Sequence, residues 1–145
     1  MTARELVVDA SVALKWLFAD GRDEVDAAAA RRLLNGVRDG EFRLVAPPHF
    51  LAEVAAVLAR EAPGTALRDL VDLQQVEVSI VDDAAALVRA VELAVATGQH
   101  VFDTLYHAIA LEHPDAVLVT ADERYWRAAR AQGRIVRLAD FATPH

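Results

Sequence analysis

Cysteine is absent from the sequence, and this absence removes several classes of protein. Without thiols the chain has no disulfide framework, no thiolate metal site and no cysteine nucleophile. The chain also lacks a run of about 18 apolar residues, so no segment is predicted to span a membrane. Its first residues, MTARELVVDAS, lack the apolar stretch and cleavage site of a signal peptide. We therefore expect a soluble, cytoplasmic protein.

Linkers and repeats are missing as well. No low-complexity segment, internal repeat or Gly/Ser/Pro-rich stretch divides the 145 residues. A chain of this length lies within the size range of one domain and can bury roughly 68–70% of its unfolded surface. We expect a single domain over residues 1–145.

The sequence also lacks a basic excess, because its formal net charge is −7. Nucleic-acid-binding proteins usually present a basic surface to the phosphates. The charge is uneven, however, since residues 123–137 contain five arginines against one acid, Glu123. Divalent cations held by acidic side chains would offset part of the negative charge. The composition therefore leaves a nucleic-acid enzyme open.

Apolar, β-rich runs alternate with helical patterns along the chain. Strands are predicted at 6–11, 42–46, 76–81, 116–121 and 134–138. Helices are predicted at 12–18, 23–37, 48–60, 66–74, 83–96, 101 to just before Pro114, and 123–131, with Asp82 as a cap and Gly98 as a stop. Strands separated by helices imply a central parallel sheet covered on both faces, which is a three-layer α/β/α sandwich.

Four acidic residues lie where such a fold binds ligands, at the carboxyl ends of the strands. Asp9 and Asp122 follow the first and fourth predicted strands, and Asp103 lies in the first turn of its helix. Glu53 lies in the second turn of the helix predicted from Pro48. Carboxylates that meet raise each other's pKa, and hard cations such as Mg²⁺ or Mn²⁺ relieve that repulsion. A metal held there would lower the pKa of an attacking water and neutralise charge on a phosphate.

Each acid also has a simpler interpretation. An aspartate after a strand is more often a helix cap than a metal ligand. A glutamate on a helix is usually solvated, although Glu53 and Asp103 both border apolar helix faces. Taken one at a time, these signals are weak.

Taken together, four segments resemble the acidic motifs of the PIN domain, and especially those of the VapC-type toxins. The segments are VVDASVALKWLF, PHFLAEVAAVLAR, VFDTLYHAIALE and LVTADERYWRAA, in the family's order, and the resemblance runs from Leu6 to about Leu138. It implies a PIN fold and an endoribonuclease that uses Mg²⁺ or Mn²⁺ to hydrolyse RNA phosphodiester bonds by metal-activated water. It further implies a toxin that forms a homodimer and is silenced by a cognate VapB-type antitoxin.

The resemblance assigns a role to each acid. Asp9 and Asp103 match the positions expected to bind Mg²⁺ most directly, and Glu53 matches the helix glutamate that completes the site. Asp122 matches the last acid, which in the family often acts through water or a second metal. We take these four residues as the candidate catalytic and metal-binding set.

Three polar residues near the acids remain open to two interpretations. Ser11 and Thr120 match hydroxyl positions beside the first and last acids, where they orient a carboxylate or make local backbone hydrogen bonds. His107 lies four residues after Asp103, which is a metal-ligand spacing. Because Mg²⁺ disfavours imidazole, we expect His107 to be a packed histidine.

Candidate contacts to RNA and to protein partners are also ambiguous. Arg124, Arg127 and Arg130 form a stripe at helical spacing, which either holds phosphates or is a solvated face, and Lys15 has the same alternatives. The segment VALKWLF (12–18) is apolar nearly all round. Its Trp16 or Phe18 either forms a second surface for a dimer mate or antitoxin segment, or fills the chain's own core.

Two other classes of protein were compared with this interpretation. A phosphatase of the haloacid dehalogenase type needs a second aspartate two residues after the first, and here that residue is Ser11. The stronger alternative is a PIN-like protein-binding module that has lost catalysis. Loss of one acid would indicate such a module, and all four acids are present.

Overall fold

Five strands and the helices between them follow the predicted order in a computed structural model that describes residues 3–18 and 24–142. The strands are β1 (Arg4–Val8), β2 (Phe42–Ala46), β3 (Val78–Ile80), β4 (Val117–Thr120) and β5 (Ile135–Arg137). The helices are α1 (Ala10–Leu17), α2 (Glu24–Arg38), α3 (Phe50–Glu61), α4 (Ala66–Gln74), α5 (Ala84–Thr97), α6 (Val101–Glu112) and α7 (Glu123–Ala129), with 3₁₀ turns at Arg130–Gln132 and Leu138–Ala142.

All strand pairs are parallel, and the sheet order is β3-β2-β1-β4-β5. This confirms the predicted parallel sheet. The chain moves from β1 to one edge through β2 and β3, and then crosses back to β4 and on to β5. The order therefore reverses between β1 and β4, where Val8 is paired with Val119. In open parallel sheets, a ligand crevice forms at such a reversal, outside the carboxyl ends of the two strands.

Helices cover both faces of the sheet, as predicted. Right-handed crossovers place the helices of the β1–β2 and β2–β3 connections on one face, and the later helices on the other. In agreement, α2 packs against β2, and α6 packs against β1 and β4. The β1 side chains Leu6, Val7 and Val8 are fully buried between the two layers. The described helices include none that is both long and apolar enough to cross a membrane.

Some predicted boundaries were wrong, and local polar chemistry explains them. The first strand ends at Val8. Helix α1 begins at Ala10, two residues before the predicted start at Val12, because the Asp9 side chain caps it. The Pro47–Pro48 pair forms a turn, closed by the Phe50 N–H and the Pro47 carbonyl at 3.1 Å, so α3 begins only at Phe50. A residue before proline avoids the helical region, which keeps Pro47 out of the helix. The predicted start of the second helix, Asp23, lies outside the described residues.

The cap of α5 was also predicted one residue too early. Asp83, and not Asp82, has the extended backbone of an N-cap, and its carboxylate accepts a 2.9 Å hydrogen bond from the Ala85 N–H. The stop at Gly98 is confirmed by its left-handed φ of 72°. The last predicted helix is shorter, because its final residues form the 3₁₀ turn before Gly133.

The two neighbouring aspartates give a direct test of this cap. We expect Asp83→Ala to lower the free energy of unfolding by about 1 kcal/mol, because the Ala85 N–H loses its acceptor. Asp82→Ala is the matched control, an exposed substitution expected to stay within about 0.5 kcal/mol of the wild type. Urea unfolding of both variants measures the difference, and equal losses would show that Asp83 does not cap α5.

Candidate active site

Asp9 lies at the carboxyl end of β1, beside the reversal of strand order. Its Oδ1 accepts hydrogen bonds from the Ser11 hydroxyl and, at 3.4 Å, from the Val12 N–H, while its Oδ2 accepts from the Thr120 hydroxyl. Thr120 is the last residue of β4 and is buried. The carboxylate therefore joins the ends of the two central strands and also caps α1.

The same two hydroxyls hold the loop that follows β4. Ser11 Oγ accepts the Ala121 N–H at 2.9 Å, and Thr120 Oγ1 accepts the Asp122 N–H at 3.0 Å. Each hydroxyl thus accepts from the loop and donates to Asp9, which fixes Asp122 relative to Asp9. Ser11 and Thr120 therefore orient the first acid directly, in addition to their contacts with the backbone.

Asp122 is an exposed N-cap of α7, and its Oδ1 accepts a 3.0 Å hydrogen bond from the Tyr125 N–H. Two of the four candidate acids, Asp9 and Asp122, are thus helix caps. This is the simpler interpretation that the sequence offered for an aspartate after a strand. A cap uses one oxygen toward the helix, and a carboxylate has further lone pairs. Capping and ligand binding are therefore compatible at both positions.

Glu53 lies in the first turn of α3, one turn earlier than predicted because α3 begins at Phe50. Its Oε1 accepts from the Tyr106 hydroxyl and lies 3.3 Å from His49 Nε2. Burial raises the pKa of Glu53, but these two partners outweigh burial and leave the pKa below its usual value. Glu53 is therefore held as a carboxylate, with Oε1 occupied by two partners.

Asp103 lies in the first turn of α6 and differs from the other three acids. In the described part of the chain, no hydrogen-bond donor faces its carboxylate. Burial raises its pKa, and so does repulsion from Glu53 and Asp122, against a weaker opposing effect of His100 and His49. Asp103 is thus a repelled carboxylate without a hydrogen-bond donor among the described residues, which suits a cation ligand.

Electrostatic repulsion links all four acids. Burial raises the pKa of Asp9 to about 6, and the charge of Asp122 adds to that increase. The charges of Asp122 and Glu53 in turn both raise the pKa of Asp103. The side chains are not drawn tightly together, however: among residues 3–18 and 24–142, no three Asp, Glu or His side chains form a group close enough to hold a metal ion. The four acids thus lie near enough for their charges to influence one another, but they do not form a preformed metal-binding group in the described part of the chain.

Sequence reasoning missed two residues that shape this site, His49 and Tyr106. His49 lies four residues before Glu53, the same helical spacing that drew attention to His107, so the signal was present. Tyr106 gives no such signal, because an aromatic residue on an apolar helix face is typical of a core. Its ring is buried, and burial together with the bond to Glu53 raises the pKa of its hydroxyl, which therefore stays a donor.

His107 is a packed histidine, as expected. The ring is fully buried and lies between α7 and the turn at Gly133. Its Nε2 donates to the Gly133 carbonyl at 2.7 Å, which leaves Nδ1 as the acceptor for the Tyr125 hydroxyl at 3.0 Å. Burial lowers the pKa of His107 and keeps the ring neutral. Both nitrogens are used, so His107 is not available to a metal.

The arginines of the basic segment fall into two groups. Arg134 donates to the His113 carbonyl at 2.6 Å, and Arg137 pairs with Glu123 and Asp140, so both serve the fold. Arg124 and Arg127 are exposed and have no ion-pair partner among the described residues. Arg130 is also exposed and lies over the Trp126 ring at 5.0 Å.

Lys15 and the apolar α1 segment face the chain itself. Lys15 Nζ lies 3.6 Å from Asp26 Oδ2 on α2. The Trp16 indole N–H donates to the Ala30 carbonyl of α2 at 2.9 Å, and both Trp16 and Phe18 pack against the core. Of the two alternatives for this segment, the structure supports core filling.

Comparison with known proteins identifies the class to which this fold and its acids belong. The family model described as the PIN domain matches residues 6–131. The chain belongs to the PIN domain family. No curated protein matches the sequence significantly.

Solved structures share the fold at low sequence identity. PAE2754 from Pyrobaculum aerophilum aligns with a TM-score of 0.68 and 18% identity, over 97% of this chain and 96% of that one. VapC20 from Mycobacterium tuberculosis, a Sarcin-Ricin loop cleaving toxin, aligns with a TM-score of 0.59 and 17% identity, over 80% and 87%. VapBC2 from Rickettsia felis, solved bound to a promoter DNA fragment, aligns with a TM-score of 0.64 and 14% identity, over 92% and 98%.

The raised pKa of Asp9 predicts a pH dependence of stability. Because the folded-state pKa is about 6 and the ordinary value is 3.8, the native state binds the proton more tightly. The contribution of Asp9 to the free energy of unfolding should therefore rise as pH falls from about 7 to 4, at up to about 1.4 kcal/mol per pH unit within the window. Asp9→Asn removes this titration. In EDTA, the unfolding free energy of the wild type minus that of Asp9→Asn should increase toward low pH, and a constant difference would contradict the assignment.

Proposed function

We propose that this chain is a divalent-metal-dependent endoribonuclease that acts as the toxin of a toxin–antitoxin pair. The observation that supports the proposal is the electrostatic coupling between the acids beside the edge where strand order reverses: the charge of Asp122 raises the pKa of Asp9, and the charges of Glu53 and Asp122 raise the pKa of Asp103. Membership of the PIN domain family supports nuclease activity. The likeness to VapC20 and VapBC2 supports the toxin role.

The four acids suit Mg²⁺ or Mn²⁺ in their chemistry. All are oxygen donors, and Asp103 has no donor of its own in the described part of the chain while two other carboxylates repel it. Asp9 and Asp103 would hold the cation most directly, with Glu53 and Asp122 completing the site. Mg²⁺ keeps several waters when bound to proteins, so the carboxylates need not all touch it. The cation would supply a lowered pKa for water and charge neutralisation at the phosphate.

The chain's own residues would prepare this site. Ser11 and Thr120 hold both oxygens of Asp9, so its orientation is set before any ligand arrives. Tyr106 and His49 hold one oxygen of Glu53. Because these side chains are already in position, little rearrangement of the site is needed when the reaction occurs.

We propose two protein partners, a VapB-type antitoxin and a second copy of the chain. An acidic site attracts a basic side chain, which an antitoxin segment would insert between the acids. Trp16 of α1 and Phe18 directly after it pack against the core and are only partly buried. More fully exposed aliphatic residues lie on α4 and in the first two turns of α5, where they offer a surface for a second copy: Leu67, Val71, Leu87, Val88 and Val91.

The metal site can be tested by separating stability from activity. Asp103→Asn keeps the shape and removes one repelled charge, so the metal-free protein should be as stable as the wild type or more stable. Mn²⁺ at a hundred times its dissociation constant should stabilise the wild type by about 2.7 kcal/mol and the variant by less. Cleavage of RNA should be abolished in Asp103→Asn and, for the wild type, in EDTA.

A helix cap outside the site is the matched control for this experiment. Asp83→Ala should lose stability without metal and keep the full response to Mn²⁺. Products of the wild type should carry 5′-phosphates and 3′-hydroxyls, because water attacks the phosphorus and the 3′-oxygen leaves, without use of the 2′-hydroxyl. Cyclic 2′,3′-phosphate ends or full activity in EDTA would rule out the mechanism. Metal-dependent stabilisation without any RNA cleavage would instead favour an inactive PIN-like binding module.

The exposed arginines of α7 and of the 3₁₀ turn that follows it predict a salt effect on RNA binding. If Arg124, Arg127 and Arg130 contact phosphates, the triple alanine variant should bind single-stranded RNA more weakly. Its slope of log affinity against log salt should be shallower by up to about 2, from roughly 0.7 per phosphate contact. The charge-matched control replaces three other exposed arginines, Arg31, Arg38 and Arg68. Equal slopes in the two triple variants would identify the α7 stripe as a solvated face.

A further inference from the structure

One exposed aromatic ring lies beside the acids. Phe102 lies in the first turn of α6, directly before Asp103, and its side chain is 65% exposed. It is the only aromatic among the large apolar side chains that are exposed in the described part of the chain. The other exposed large apolar residues are aliphatic and lie on α4, β3 and α5.

Phe102 is the outer member of a series of rings that begins in the core. The Phe102 and His49 ring centroids are 5.3 Å apart, those of His49 and Tyr106 are 4.9 Å apart, and those of Tyr106 and Phe50 are 6.5 Å apart. Phe50 and Tyr106 are buried. His49 Nε2 also lies 2.8 Å from the Phe102 carbonyl oxygen. The exposed ring is therefore backed by a rigid support.

The same support holds one of the acids. His49 and Tyr106 both contact Glu53 Oε1, and Asp103 is the next residue after Phe102. Thr104, two residues and about 200° further around the helix, donates to the Ala90 carbonyl of α5 at 2.7 Å. Phe102 thus projects away from the side of α6 that packs against α5, and its contact with the His49 ring places it beside a side chain that contacts Glu53.

We propose that the Phe102 ring, backed by His49, is a stacking platform for an unpaired nucleobase of the RNA held at the four acids. This inference rests on the proposed function and requires an unpaired base, because a base inside a duplex is covered on both faces by its stacked neighbours. Stacking on aromatic rings is the usual means of binding unpaired bases. It also suits a chain with a net charge of −7, since stacking needs no positive charge.

The experiment compares Phe102→Ala and Phe102→Trp with Val95→Ala, an exposed control on α5. Binding is measured in Ca²⁺ to a single-stranded oligoribonucleotide that carries 2-aminopurine, and to a fully paired duplex of the same sequence. Cleavage is measured in Mn²⁺. Phe102→Ala should weaken single-strand binding roughly 5- to 150-fold, with an unchanged salt slope and loss of the 2-aminopurine quenching. Phe102→Trp should retain binding and quenching, and Val95→Ala should match the wild type.

The outcomes separate this inference from the proposed function. If the wild type cleaves RNA and Phe102→Ala binds it equally well, the stacking platform is wrong and the nuclease stands. A shallower salt slope for Phe102→Ala, or an equal loss on duplex RNA, also overturns stacking. If Phe102→Ala leaves RNA affinity intact but changes self-association, the ring belongs to a protein interface and the inference fails. A wild type that neither binds nor cleaves RNA overturns both proposals.

Discussion

The hydrogen bonds around the Asp9 carboxylate are the constraint on which the site depends. They connect the end of β1 with the end of β4, the two strands between which the sheet order reverses. Through Ser11 and Thr120 the same network fixes the loop that carries Asp122. Burial nevertheless makes the charged form of Asp9 costly, as its raised pKa shows. The residue that joins β1 to β4 is thus also one whose negative charge is unfavourable in the folded state.

The four acids are held in different ways, and the differences follow from the elements that carry them. Asp9 and Asp122 come from strand ends, where the following helix needs a cap, so their carboxylates have structural duties. Glu53 comes from a helix and is restrained by side chains of two elements, Tyr106 and His49. Asp103 has no such restraint among the described residues and bears repulsion from two sides. The hydrogen bonds stabilise the fold, but the negative charges of Asp9 and Asp103 remain unfavourable. A bound cation would offset those charges.

A nuclease of the proposed kind, with an acidic site, must also hold a polyanion. Two features near the acids would serve this purpose, and they differ in their physics. The exposed arginines that follow Asp122 would act through charge, which salt screens. Phe102 would act through its ring face, which salt affects little. Arg134 and Arg137 of the same segment make hydrogen bonds and ion pairs within the fold. The charge of +4 counted along residues 123–137 is therefore larger than the positive charge available to RNA.

The sequence by itself determined the class of fold, because the apolar runs, their spacing and the helical patterns between them depend on local chemistry. It also indicated the four acids as candidates, through motifs that combine an acid with its flanking apolar residues, and it predicted the packed state of His107. Its errors lie at element ends, as at Asp83 and Phe50, where a single cap or turn decides between neighbouring residues.

Only the tertiary structure decided the strand order, and with it the meeting of Asp9 with Thr120, 111 residues apart in the chain. It alone showed that Trp16 fills the core, that Tyr106 and His49 hold Glu53, and that Phe102 is exposed. The physical reason is the same in each case. A residue's partner across the fold is set by how distant elements pack, and no local pattern records which side chain will face it.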